Sequence, residues 1–169
     1  RDAEGRIWAG TEVGACRFDN GTWTTFDPTN SSLPDKLVRA IATEASGRIW
    51  FGTERGLGML YGQEWQSLSL PPTYENSRIN CLATLPSALD SDPAPGPLGV
   101  GTDRGALYYD GSTWTTYTAD NSGLIGSTVL TIVSDSSSRF WFGTWGGLSL
   151  LEGTTWTSFT SHNSGLIYD

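Results

Sequence analysis

Short runs of apolar and polar residues recur along the whole chain, each closed by a Gly-, Ser- or Asn-rich turn. Residues 37–43 (LVRAIAT), 48–53 (RIWFGT), 56–61 (GLGMLY) and 64–68 (EWQSL) are four such runs in succession. Their length and their content of β-branched and aromatic residues predict strands. No segment sustains a 3.6-residue apolar period, and Gly, Thr and Ser stand where helix formers would be needed. The pattern predicts an all-β chain.

The runs repeat. Arg6-Ile7-Trp8-Ala9-Gly10-Thr11, Arg48-Ile49-Trp50-Phe51-Gly52-Thr53 and Arg139-Phe140-Trp141-Phe142-Gly143-Thr144 are one motif, and Leu98-Gly99-Val100-Gly101-Thr102 is a fourth copy without the Trp. The glycines Gly10, Gly52, Gly101 and Gly143 fall 42, 49 and 42 residues apart, and Trp23, Trp65, Trp114 and Trp156 keep the same spacing. Two landmarks in step establish a repeat of about 42 residues, with an extra seven near 88–95 that read as a surface loop. That period suits a four-stranded blade of a β-propeller. The units fall at about 5–27, 37–69, 78–118 and 128–160. A blade has two faces and cannot cover both alone, so the recurring Trp and aliphatic positions are expected to pack blade against blade. The Gly-Thr pair after the aromatics is expected to mark a tight turn or a close backbone approach. Asn30-Ser31-Ser32-Leu33, Asn121-Ser122-Gly123-Leu124 and Asn163-Ser164-Gly165-Leu166 form the links between blades.

Composition narrows the function. Net charge is −8, Lys36 is the one lysine, and the nine arginines are scattered. Nucleic acid and anionic membranes, which need basic patches, are poor partners for such a surface. No apolar run reaches membrane-spanning length, so no membrane insertion is expected in this segment. Cys16 and Cys81 lie in different repeats and, with one histidine (His162), do not make a zinc site, so no metal or cofactor is expected. Residue 1 is Arg rather than Met, which reads as a gene product whose start lies upstream.

The run Gly47-Arg48-Ile49-Trp50-Phe51-Gly52-Thr53, followed by Gly56-Leu57, a turn, Trp65 and a Ser-Gly-Leu link, resembles the two-component regulator propeller repeat. The resemblance covers nearly the whole chain, with a departure at Gly99. It implies a sensor region of the kind found in bacterial hybrid histidine kinases, and with it an extracytoplasmic location, periplasmic or at the cell surface. It also implies a ring with more blades than the four counted here. The fifteen strands expected by that pattern would then be part of a larger ring. The open blade faces would be covered by the remaining blades, another copy of the chain or another subunit.

Loops on a rigid scaffold are where binding residues collect. The loop between the second and third strands of each blade varies among copies: Glu12-Val13, Glu54-Arg55, Asp103-Arg104, Trp145-Gly146. Trp145 stands where the other copies have an acid. Glu12, Glu54, Arg55, Asp103, Arg104 and Trp145 are therefore the candidate ligand-binding residues, suited to a small ligand, a glycan or a peptide. The bland alternative is a charged, solvated rim. Lys36, Tyr74 and Arg78 are further candidates on the neighbouring links. No Ser/His/Asp or Cys/His set, phosphate loop or zinc spacing is present, and no catalytic residue is expected. A non-catalytic ligand-binding or sensing segment is the primary reading. A protein–protein interaction scaffold is the alternative, and a carbohydrate-active or lyase propeller a more distant one, suggested by the Asp-box-like turns Asp19-Asn20-Gly21-Thr22-Trp23 and Asp110-Gly111-Ser112-Thr113-Trp114.

Overall fold

The computed structural model describes residues 1–85 and 95–168. Of the loop expected near 88–95, all but Pro95 lies outside the described residues. Among the described residues, fifteen strands form four antiparallel sheets, one per repeat. The first holds β1 (Ile7–Thr11), β2 (Gly14–Asp19) and β3 (Thr22–Phe26). The second holds β4 (Val38–Thr43), β5 (Ile49–Thr53), β6 (Gly56–Tyr61) and β7 (Glu64–Leu68). The third holds β8 (Ile79–Thr84), β9 (Leu98–Thr102), β10 (Ala106–Tyr109) and β11 (Trp114–Tyr117). The fourth holds β12 (Val129–Ser134), β13 (Phe140–Thr144), β14 (Gly147–Glu152) and β15 (Thr155–Phe159). Each sheet is a meander in sequence order, and the first strands of neighbouring sheets, β4, β8 and β12, stand side by side at the inner edge. This is the all-β propeller arrangement expected from the repeat.

The core lies between blades. Trp8, Ala15 and Phe26 of the first pack on Ile49, Phe51, Leu60 and Trp65 of the second. Trp50, Leu57 and Met59 of the second pack on Ile79, Leu98, Val100 and Leu107 of the third, and Ala83 and Ala106 of the third on Phe140, Phe142 and Leu151 of the fourth. Successive residues of a strand point to opposite faces, and a middle blade buries both. Ile49, Trp50 and Phe51 are accordingly all fully buried. Side chains of this size each stabilise the fold by about 2 kcal/mol through burial.

The Gly-Thr pair divides its work. The glycine makes the close approach: a Cβ at Gly52 would stand 2.5 Å from Ile79 Cγ2, and one at Gly10 2.6 Å from the Val38 carbonyl oxygen. The threonine makes the turn. Thr53 Oγ1 donates to the Gly56 carbonyl (2.8 Å) and accepts from Arg55 N–H (3.2 Å), and Thr11, Thr102 and Thr144 do the same.

An acid six residues before each strand Trp holds its indole. Trp8 Nε1 donates to Asp2 (2.7 Å), Trp50 to Glu44 (2.6 Å) and Trp141 to Asp135 (2.9 Å). An arginine two residues before each Trp pairs with the same acid: Arg6, Arg48 and Arg139. The indole donor and Arg139 hold the Asp135 carboxyl down to about 2. Asp2 is also lowered: burial raises its pKa, but donation from Trp8 and Arg6 outweighs this. The third blade has no Trp there, and the Phe140 ring of the fourth fills the space over Gly99, 3.0 Å from where a Cβ would be.

Three links are pinned identically. Thr118 N–H donates to Asn121 Oδ1 (2.7 Å), Asn121 Nδ2 to the Thr116 carbonyl (3.2 Å) and Ser122 Oγ to the Thr118 carbonyl (2.7 Å). Asn30 and Ser31 repeat the pattern, as do Asn163 and Ser164. The link from the second blade to the third lacks this clasp and folds as a 3-10 turn, Pro72–Tyr74. The two cysteines are free.

Candidate functional site

The loops after β1, β5, β9 and β13 open on the same rim as the links between blades. Hydrogen bonds across that rim show it. Arg104 donates to the Thr73 carbonyl (3.3 Å), Tyr74 hydroxyl to the Arg104 carbonyl (3.4 Å), and Thr128 hydroxyl to the Asp103 carbonyl (3.4 Å). Gly56 N–H donates to the Ser77 carbonyl (3.2 Å). The rim is where all six sequence candidates sit, divided among three places.

The first place is an axial groove of about 370 Å³ lined by Gly10, Thr11, Glu12, Leu37, Val38, Arg39 and Asn80. Glu12 is exposed at its mouth. Arg39 and Asn80 were not among the sequence candidates. Each occupies a β-bulge at the same register position of its inner strand, between Val38 and Ala40 and between Ile79 and Cys81. A bulge re-aims a side chain and bends its strand. Arg39 thereby reaches Glu54 (2.5 Å), and Asn80 Nδ2 donates to the Val129 carbonyl of the next blade (2.9 Å). The fourth blade repeats the bulge with Leu130. The available signal was a polar residue set among aliphatics in Val38-Arg39-Ala40-Ile41 and Ile79-Asn80-Cys81-Leu82.

The second place is a cleft of about 340 Å³ over the top of the second blade, lined by Arg55, Ser67, Ser69, Leu70, Glu75 and Asn76 among others. It exists because the unclasped link takes its own course. Arg55 is mostly exposed and makes one long ion pair with Asp35 (4.0 Å). Glu75 faces the same cleft, so the two walls carry opposite charge. Asn76 holds a left-handed backbone (φ 60°), a conformation that asparagine tolerates better than most residues.

The third place is the rim of the last two blades. Asp103 is half-buried, and its Oδ1 is buried without a hydrogen-bond partner among the described residues. Arg104 is exposed beside it. Trp145 is 73% exposed one blade further on. It lines neither groove, and the repeat's packing does not use it. Of the link candidates, Tyr74 is buried in the core, where burial raises its phenol pKa and Arg104 pulls the other way.

The Asp-box-like turn is a local device. Asp110 accepts from the N–H and hydroxyl of both Ser112 and Thr113, which holds its carboxyl well below the usual range.

Comparison with known proteins agrees with this architecture. The family model of the two component regulator propeller matches residues 32–55. No curated protein sequence matches the chain. Among solved structures, the extracellular domain assigned to a hybrid two component system, BT3049 of B. thetaiotaomicron, superposes with a TM-score of 0.72 at 22% identity, over 96% of this chain and 22% of that one. The extracellular domain assigned to a one component system, BT4673 of the same organism, gives 0.69 at 18% identity, over 99% and 22%. Virginiamycin B lyase from Staphylococcus aureus gives 0.68 at 15% identity, over 92% and 52%. The chain thus spans about a fifth of the length of the first two. The chain is a β-propeller segment, and residues 32–55 of it match the two component regulator propeller repeat.

Proposed function

We propose that this chain is a non-catalytic, ligand-sensing part of an extracytoplasmic receptor propeller, and that it reads its ligand on the rim carrying Glu12, Glu54, Arg55, Asp103, Arg104 and Trp145. The observation that carries the reading is Trp145. A large indole exposed to this degree, at a position where three other copies hold an acid, has no packing duty. Exposed aromatic groups beside charged side chains are the usual contact surface for glycans and peptides. The matching repeat family and the extracellular sensor domains of similar fold support the assignment to sensing.

The test is titration of glycan and peptide libraries, followed by tryptophan fluorescence and calorimetry. Saturable binding that Trp145→Ala weakens about tenfold or more, with unchanged unfolding, is the expected result. A library ligand whose affinity ignores Trp145, Arg55 and Arg104 alike would move the site elsewhere. A stable protein partner on this rim, with no small ligand, would favour the scaffold reading.

A further inference from the structure

The third blade lacks the strand indole, and a pocket of about 110 Å³ opens at that place between the third and fourth blades. Its walls include Leu85, Tyr108, Tyr117, Ser138, Phe140 and Leu151. Ser138 belongs to the turn from β12 to β13, so the pocket sits at the end of the strands away from the rim. The register shows what the pocket replaces. Tyr108 pairs with Gly99 as Met59 pairs with Trp50. Leu85 N–H donates to the Pro97 carbonyl (3.0 Å) as Glu44 N–H donates to the Arg48 carbonyl (2.8 Å). Leu85 thus holds the place of the acid that clamps Trp50. Leu151 pairs with Phe140 as Tyr109 pairs with Leu98, and the Tyr109 ring stands 6.4 Å from that of Trp50. The walls are therefore counterparts of groups that surround Trp50 in the junction one blade earlier.

Two large side chains of this face are cut back, Trp50 to Gly99 and Leu57 to Ala106. Phe140, which stands where the second junction has Leu98, takes back the part directly over Gly99. The pocket is what remains, and its chemistry differs from that of the clamped indole. The acid has gone with the Trp, and no charged side chain is among the residues that line it. Two half-buried phenols stand in its wall, and neither hydroxyl has a hydrogen-bond partner among the described residues. Burial pushes the Tyr108 phenol up, with Asp110 adding to it, and burial and Tyr108 do the same to Tyr117. Both hydroxyls therefore stay protonated and free to bond. Asp110 beside Tyr108 and the net charge of −8 disfavour an anion. Tyr108 and Phe140 meet edge to face at 6.0 Å, a geometry that extends readily to a further ring. An apolar cavity of comparable size, about 150 Å³, takes up benzene.

We propose that this pocket binds a small uncharged aromatic molecule of the phenol class. Its ring takes the place of the absent indole, and its hydroxyl meets Tyr108 or Tyr117. The site is distinct from the rim that carries Trp145, and it stands inside a junction that the chain completes by itself.

The test is fluorine NMR, with 4-fluorophenol and fluorobenzene titrated separately into the protein. Both are expected to bind saturably, 4-fluorophenol about threefold or more the tighter through its hydroxyl. Nuclear Overhauser contacts from the bound ring to Tyr108 and Phe140 locate it in the wild-type protein, without any variant. Replacing both tyrosines, Tyr108→Phe with Tyr117→Phe, is expected to bring 4-fluorophenol down to the affinity of fluorobenzene. Filling the site, by Gly99→Trp with Phe140→Leu and Leu85→Glu, sets the residues of the second junction into this one and is expected to abolish binding of both probes. Circular dichroism checks the fold of each variant. Trp145→Ala is expected to leave both affinities unchanged, so failure here and failure of the rim reading are told apart. The proposal is overturned by absence of saturable binding, or by Overhauser contacts elsewhere on the protein. Equal affinity for the two probes, or binding that survives in a folded, filled variant, overturns it as well.

Discussion

Replacing Glu44 by Ala should destabilise the chain far more than replacing Asp135 by Ala, although the two acids hold equivalent places in the repeat. Glu44 accepts from Trp50 Nε1 (2.6 Å), Ser46 Oγ (3.0 Å), Arg48 (3.3 Å) and, from the next blade, Gly96 N–H (3.3 Å). Its side chain is 6% exposed and that of Arg48 is 3%. Removing the carboxylate strands a buried indole donor, at about 1–3 kcal/mol. It also removes one charged hydrogen-bond partner of a buried guanidinium, worth about 1.5–3 kcal/mol. The two overlap, since one group serves both, and the Arg48 guanidinium keeps its place over the Tyr61 ring, 4.5 Å away. About 2–4 kcal/mol is therefore expected for Glu44→Ala. Asp135 and Arg139 have side chains 24% and 31% exposed, water replaces what is lost, and a much smaller loss than at Glu44 is expected. Glu44→Gln retains an acceptor for the indole and should fall between the two. Urea unfolding followed by tryptophan fluorescence reads all three. Equal losses at Glu44 and Asp135 would refute the claim that burial, rather than the motif itself, sets the strength of the clamp.

Other outcomes follow from the same structure. Gly101→Ala places a Cβ against Cys81 Sγ and 2.7 Å from Val129 Cγ1, and should cost roughly 1–3 kcal/mol in chemical unfolding. Burial pushes the Cys81 thiol up to about 12, so a colourimetric thiol reagent at pH 8 should label it only after denaturation. Asp135, held at about 2 against an ordinary value of 3.8, binds protons less readily folded than unfolded. Its contribution is complete above about pH 4 and fades as the pH falls through 2. Asp2 shifts the same way, so thermal midpoints should hold from pH 7 to 5 and decline below about 4. Trp145→Ala should leave the unfolding free energy within about 0.5 kcal/mol of wild type.

The repeat was legible because two landmarks, the strand glycine and the turn Trp, keep step through all four units. Packing between identical units demands the same residue at the same place, so periodicity in sequence is periodicity in the core. The acid clamp was equally periodic, at Asp2, Glu44 and Asp135, yet its alternation of Asp and Glu hid it. The β-bulges at Arg39, Asn80 and Leu130 left no mark in the spacing, because every inner strand carries one and the count between landmarks is unchanged. Only the polar intrusions at Arg39 and Asn80 betrayed them. The rim residues could be named because they vary, but their grouping into separate grooves depends on which link crosses above them. That is set by whether an Asn-Ser clasp is present, a long-range consequence of local hydrogen bonding.

The third blade shows how a repeat absorbs its own exceptions. It lacks the strand Trp, the acid that would hold it and the clasped link that would enter it. These are not independent losses. With Gly99 in place of Trp, the Phe140 ring of the next blade moves over the strand, and it also meets Tyr108 at 6.0 Å between ring centroids. With no clasped link, Leu70 and the Tyr74 of the 3-10 turn enter the core, and Leu107 occupies the seat that a link leucine takes elsewhere, as Leu33 does over Gly58. The volume withdrawn from one position is returned from another, as close packing requires. The altered link in turn leaves the cleft over the second blade, with Arg55 and Glu75 on its walls. The blade that departs from the plan inside is thus one beside which the rim acquires a feature of its own. Restoring an Asn-Ser-Gly-Leu link in place of residues 72–75 together with Leu107→Gly should close that cleft while keeping the fold. If the exchange instead unfolds the chain, the link and its seat are not the matched pair that the other blades make them.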